Sequence, residues 1–241
     1  KMNARRPLTH RLLEQEARAL LSRLNIVKPF ALLTPMVPAA AISPLAHNAI
    51  EDYLTQGRKA LYKLVTAYLA WIKSPGGHGS PPPEAQRRFT LLRLKFNAVL
   101  TQFDIFADVL NQRSEHGTGV WLSGLDAVAA DALVLPGMKK KPPVICYLDR
   151  GHGAAIRRAR TRLPGGGDNP AAVIRVPRER MVGSGIASSL VHEVGHQGVA
   201  LLGLMDSLRP VLQGFKKSKR PQQKAWTLWQ RWLSEILADF W

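Results

Sequence analysis

Two histidines and a glutamate stand in one short segment, Ser189–Gln197, with a spacing that suits metal binding. His192 and His196 are four residues apart, so on a helix their side chains point to the same side, one turn apart. That spacing lets two imidazole nitrogens reach one tetrahedral Zn²⁺ at about 2.0–2.1 Å. Glu193 is placed about 100° around the helix from His192, beside a metal-activated water rather than as a ligand. The HExxH arrangement therefore predicts a zinc site with Glu193 as general base.

A catalytic zinc site needs a third protein ligand, and the residues leave more than one candidate. With its HExxH segment the chain resembles the zinc metallopeptidases called zincins. The metzincin branch has a histidine six residues after the second histidine of the motif, but Leu202 stands at that position. Asp206 lies at a distance where an aspartate ligand is conceivable, although the surrounding Leu204–Leu208 does not otherwise resemble the aspzincin pattern.

A second acidic pair, Glu235 and Asp239 in the segment Trp232–Asp239, resembles the ExxxD motif of the gluzincins. The resemblance implies that Glu235 is the third zinc ligand. It also implies that Asp239 hydrogen-bonds a ligating histidine, His192, and fixes its tautomer. The competing interpretation makes both carboxylates part of a solvated acidic helix face. The resemblance covers roughly residues 185–241.

The resemblance further implies the reaction and a place for the substrate. Zinc would be the cofactor and a protein or peptide the substrate, hydrolysed by a water molecule from which Glu193 takes a proton. In zincins an edge strand near the metal pairs with an extended substrate, and Ala172–Val176 holds that position by resemblance. His152, between two glycines, either lines the site or stabilises the oxyanion, or is a loop histidine without a role.

Hydrophobic periodicity predicts a helical first half. Apolar residues recur at spacings of three and four in three segments, Leu12–Leu24, Ile50–Ile72 and Phe89–Phe106. We assign residues 1–117 to a mainly helical region that covers the cleft, recognises substrate or acts as a pro-region.

The second half has a mixed pattern. It contains a helical segment (Trp121–Leu133), two short apolar strands (Val144–Leu148 and Ala172–Val176) and a long helix from about Gly185 to Leu208, ended by Pro210. The order predicts an α+β fold, with a zincin-like catalytic domain of small sheet and HExxH helix at residues 118–241. Because Trp241 closes a helical pattern without a polar tail, we expect the natural chain to continue beyond it.

Composition narrows the class of protein. Among 241 residues, 46% are hydrophobic, which supplies a packed core and excludes a disordered tail. The 34 Lys and Arg against 17 Asp and Glu give a net charge of +17. This balance indicates either a well-solvated surface or an anionic partner, which would be an acidic substrate, nucleic acid or a membrane surface. No zinc-finger, RNP or basic-zipper pattern accompanies the charge.

Compartment is less constrained by the sequence. One cysteine, Cys146, excludes an internal disulfide framework. The longest apolar stretch, residues 26–50, is interrupted by prolines, so no transmembrane segment is expected. We expect a cytoplasmic protein, or one exported without a recognisable signal peptide.

Two other functions compete with the zinc peptidase. The first is a basic nucleic-acid- or membrane-binding protein whose zinc site is structural, although such a site has no use for Glu193. The second is a delivered toxin or effector peptidase, suggested by a compact basic chain with an unusual helical front.

Overall fold

The computed structural model describes residues 7–27, 35–134, 141–151, 153–178, 185–218 and 220–241. The helices are α1 (Leu8–Ile26), α2 (Pro44–Lys73), α3 (Pro75–His78), α4 (Pro82–Asn111), α5 (His116–Ala132), α6 (Gly185–Leu201), α7 (Leu204–Ser218) and α8 (Gln223–Asp239). The strands are β1 (Val144–Asp149), β2 (Ala155–Arg157) and β3 (Ala172–Pro177). The described part of the chain is therefore mostly helical with one small sheet, and the predicted α+β class is confirmed at that level.

Two compact units divide the chain. The first takes in Lys1–Pro35, Asn48–Leu110 and Arg162–Gly167, and the second takes in Met36–His47, Asn111–Thr161 and Asp168–Trp241. Two short segments thus belong to a different unit from their neighbours in the chain. The separate roles assigned from sequence to residues 1–117 and 118–241 stay predictions.

The first unit buries the apolar stripes that the sequence predicts as helical. Its fully buried side chains come from α1, α2 and α4 and include Leu24, Leu54, Leu61, Ile72, Phe96 and Phe106. The segment Arg162–Gly167 joins this unit through side chains of α2 and α4. The hydroxyl of Tyr53 donates to the carbonyl of Gly166 at 3.0 Å, and the amide of Gln102 donates to the same carbonyl at 3.1 Å.

The sheet of the second unit has the order β1-β3-β2. β1 runs parallel to β3, with Val144 opposite Ala172, and β2 runs antiparallel to β3, with Ile156 opposite Ile174. The expectation that Ala172–Val176 is the edge strand is therefore wrong, because β3 is paired on both sides. The edge beside α6 belongs to β2, whose three residues are too short to give a strand pattern in the sequence.

Helix α6 covers the sheet with one of its faces. Leu190 and Val194 lie in a buried cluster with residues of α5, β1 and β3, including Leu122, Cys146 and Ile174. His192 and His196 fall on the opposite side of the helix from this apolar face, as the helical period requires. Packing on the sheet therefore fixes which way the two histidines point.

The prediction of one long helix from about Gly185 to Leu208 is wrong, because this segment forms two helices. α6 ends at Leu201, and Gly203 adopts a φ of +63°, a left-handed conformation that glycine takes without steric cost. α7 then runs through Pro210 to Ser218. A proline here removes the hydrogen bond to the carbonyl of Asp206, and water can replace that bond because both residues are exposed.

In the described parts of the chain, no helix has both the length and the apolar character needed to cross a bilayer.

Candidate metal centre

Helix α6 presents His192 and His196 side by side. Their ring centroids are 4.8 Å apart and the rings are nearly perpendicular, at 86°. The side chains are 26% and 14% exposed, respectively, so solvent reaches the pair without surrounding it. The four-residue spacing thus gives the arrangement expected from the sequence.

Helix α8 brings a carboxylate to the two rings. Glu235 Oε2 lies 3.4 Å from Nε2 of His192 and 3.5 Å from Nε2 of His196. Ligand atoms of the three residues all lie within 4.8 Å of one another. Two ligands of one tetrahedral zinc, each at about 2.0–2.1 Å, are themselves roughly 3.4 Å apart. Two imidazoles and a carboxylate are also a donor set that zinc accepts, so the residues fit this ion.

The outer ring nitrogens are also engaged. Nδ1 of His192 lies 2.8 Å from Asp239 Oδ1, and Nδ1 of His196 lies 3.2 Å from Ser234 Oγ. When Nδ1–H donates to these oxygens, each ring is held in the tautomer that leaves the Nε2 lone pair free for a metal. Asp239 therefore stands where the resemblance expects it. Ser234 was missed, because a serine beside Glu235 gives no signal in the sequence.

Glu193 of α6 interacts with the edge strand β2. Its carboxylate accepts a hydrogen bond from the backbone N–H of Ile156 in β2. Burial raises the pKa of Glu193, and the nearby Glu235 raises it further, while the two histidines and the Ile156 amide act in the opposite direction. A carboxylate has two oxygens, so one can keep the hydrogen bond from the Ile156 N–H while the other accepts a proton from water.

A second residue of α6 holds the segment that follows β2. The side-chain oxygen of Gln197, which is buried, accepts a hydrogen bond from the backbone N–H of Ala159 at 2.8 Å. Glu193 and Gln197 are one turn apart, so they accept hydrogen bonds from the backbone amides of Ile156 and Ala159 on the same side of α6. Gln197 was missed by the sequence reasoning. A polar residue next to an apolar helix face was the signal that could have found it.

Two glycines allow α8 to lie close to α6. A Cβ on Gly195 would be 2.8 Å from the carbonyl oxygen of Ala238, and one on Gly198 would overlap the ring of Trp241. The indole Nε1–H of Trp241 donates to the carbonyl of Ala132 at 2.8 Å, which anchors this end against α5. Close packing at these positions sets the distance from the two histidines to Glu235.

Two other candidates from the sequence are not part of this group. Asp206 is exposed in the first turn of α7 and does not belong to the three-residue group that the described residues form. His152 lies outside the described residues.

Comparisons with protein-family models, curated protein sequences and solved structures find no match for this chain.

Proposed function

We propose that the chain is a zinc-dependent peptidase with a gluzincin-like site. The observation that carries the proposal is the convergence of Glu235 on His192 and His196, with Glu193 on the same helix turn and held against β2. The three ligands come from two helices. A general base beside three such ligands is one constellation that can hydrolyse a peptide bond.

The roles of the residues follow from their positions. Zinc, when bound by His192, His196 and Glu235, would lower the pKa of water and polarise the substrate carbonyl. Glu193 accepts one proton from water as the water oxygen bonds to the carbonyl carbon, and it returns that proton to the amine nitrogen as the C–N bond breaks.

A purely structural zinc site is the competing proposal, and two observations weigh against it. Structural sites are usually closed by four protein ligands, whereas three converge among the described residues. The side chain of Glu235 is also 49% exposed, which leaves the centre open to a substrate. The net charge of +17 supports an anionic partner or an acidic substrate for either function.

The test is Glu193→Gln in the full chain. We expect the variant to keep stoichiometric zinc and to lose cleavage of a proteome-derived peptide library by about 10²–10⁴-fold, since a general base is removed but no ligand. Glu16→Gln, an exposed position of α1, is the matched control and should behave as the unmodified chain. Cleavage at an undiminished rate by Glu193→Gln would contradict the role of Glu193, and no cleavage by the zinc-loaded unmodified chain would contradict the peptidase proposal.

A further inference from the structure

Helix α8 carries an apolar groove that opens directly onto the metal group, by which we mean His192, His196 and Glu235. Leu228, Trp229, Trp232 and Ile236 line it, together with the three polar residues His192, Glu235 and Asp239 at one end. Its volume is about 510 Å³. That volume lies within the range of small-ligand pockets, roughly 300–1,000 Å³.

Three apolar side chains of the groove are exposed to solvent and are not part of the buried core. Leu228, Trp229 and Trp232 are 55%, 49% and 52% exposed, respectively, while α8 packs through buried residues such as Leu233 and Ala238 on other sides. Two large indoles and a leucine in one patch are an unusual surface, and such patches mark binding sites more often than they serve the fold.

The helical period connects this patch to the chemistry. Leu228, Trp232 and Glu235 recur at spacings of four and three, so they lie along one face of α8, and Asp239 continues it. The groove therefore ends at the same carboxylates that approach the histidines. A peptide bond held at the metal group would therefore place the side chain of an adjoining residue in the groove.

We propose that this groove binds an aromatic or large aliphatic side chain of the substrate residue adjoining the cleaved bond, and that Trp229 and Trp232 determine this preference. The proposal rests on the peptidase function proposed above. The lining is almost wholly apolar beyond its polar end, so it favours a side chain without charge, and the indole faces add stacking with an aromatic ring.

A membrane surface is the competing occupant. Lys216, Lys217 and Lys224 lie on α7 and α8, and exposed tryptophans beside basic residues also suit an anionic lipid interface. Continuity of the groove with His192 and Glu235 favours the substrate, because a lipid surface covering the tryptophans would also close the metal group.

The experiment measures peptide binding separately from turnover. Zinc-loaded Glu193→Gln is titrated calorimetrically with alanine-based hexapeptides that carry one Phe, Leu or Asp, and with the all-alanine peptide. We expect the Phe and Leu peptides to bind about tenfold more tightly than the all-alanine peptide. Adding Trp232→Ala should remove most of that difference. Adding Trp121→Ala, an exposed tryptophan of α5 outside the groove, should leave it unchanged.

Each outcome decides something. Equal binding of all peptides by zinc-loaded protein, or a Phe preference that survives both Trp229→Ala and Trp232→Ala, overturns the groove proposal while the peptidase proposal stands on its own cleavage assay. Trp232-dependent binding to vesicles of equal parts phosphatidylcholine and phosphatidylserine, without any peptide preference, overturns it in favour of a membrane. A chain that takes up no zinc contradicts both proposals.

Discussion

The second unit contains two clusters of charged and polar side chains that are built in opposite ways. At the first, Arg113 is fully buried and pairs with Asp126, with Nη1 3.0 Å from Oδ2. The same guanidinium donates to the carbonyl of Cys146 at 2.7 Å, and Asp126 accepts from the Cys146 N–H at 2.7 Å. At the second, the side chains of His192, His196 and Glu235 remain between 14% and 49% exposed.

The direction of the hydrogen bonds separates the two clusters. Burial raises the pKa of Asp126, and the charge of Arg113 beside it works against that rise, while the buried Nε of Arg113 has no hydrogen-bond partner among the described residues. At the histidines, the outer Nδ1 atoms have close partners, whereas the inner Nε2 atoms approach Glu235 at 3.4 and 3.5 Å, longer than an ordinary hydrogen bond. The first arrangement buries a charge pair inside the fold, and the second leaves two Nε2 atoms beside one half-exposed carboxylate.

The comparison is most strongly tested by His196→Ala. We expect complete loss of stoichiometric zinc, because no neighbouring side chain can supply a nitrogen at that position of α6, with metal-free stability lowered by no more than about 1 kcal/mol. Added zinc should raise the melting temperature of the unmodified chain but not of the variant. Asp206→Ala is the control. Should His196→Ala bind zinc with normal affinity, the ligand assignment is wrong.

Asp126→Ala should have the opposite signature. It leaves the Arg113 guanidinium buried without its counter-charge, a change that typically costs about 3–5 kcal/mol of unfolding free energy. Urea denaturation measures this loss, and Asp131→Ala at an exposed position of the same helix should change stability by less than about 0.5 kcal/mol. Protein that remains folded should keep its zinc affinity. A loss of zinc affinity without a loss of stability would erase the distinction between the clusters.

Gly195→Ala should weaken both properties together. The added methyl would lie 2.8 Å from the backbone carbonyl oxygen of Ala238 and 3.0 Å from its Cα, so α8 must move away from α6, and overpacking of this kind costs about 1–3 kcal/mol. Because Glu235 moves with α8, zinc affinity should fall in the same variant. Gly214→Ala in α7, where a Cβ meets nothing within 4 Å, is the matched control for stability and metal titrations. An unchanged zinc affinity would show that the spacing of the two helices does not set the site.

Asp239→Ala should give the smallest of these effects. It removes the partner of the His192 Nδ1 but no ligand, and such losses typically reduce metal affinity or activity by about 10–100-fold. Competition with a zinc chelator measures the change. Ser234→Ala, whose hydroxyl meets His196 at the longer distance of 3.2 Å, should lose less. If Asp239→Ala leaves zinc affinity unchanged, that carboxylate belongs to the solvated face of α8 and does not support the site.

The sequence predicts the parts of this site that depend on local geometry. The spacing of His192 and His196 fixes their common direction on any helix, and the apolar stripes of the first half mark helices that the structure confirms. Glu235 came from a resemblance, since no period of one helix says which other helix will pack beside it. The structure brings it to the histidines, but zinc binding itself stays a prediction.

The remainder depends on tertiary packing that no local pattern encodes. β2 is three residues long; it pairs with β3, and its Ile156 N–H donates a hydrogen bond to the Glu193 carboxylate. The sequence predicts that Pro210 ends the helix. The hydrogen bond that Pro210 cannot make lies on an exposed turn, however, and the turn at Gly203 ends the helix instead. Both outcomes follow from what surrounds the residue rather than from its type.

The most direct measurement is a crystal structure of the zinc-loaded chain, with anomalous scattering at the zinc edge to identify the ion. We expect one zinc with Nε2 of His192 and His196 at about 2.0–2.1 Å and a Glu235 oxygen at about 2.0–2.2 Å. Zinc bound elsewhere, or bound to the histidines with Glu235 more than about 2.5 Å away, would contradict it.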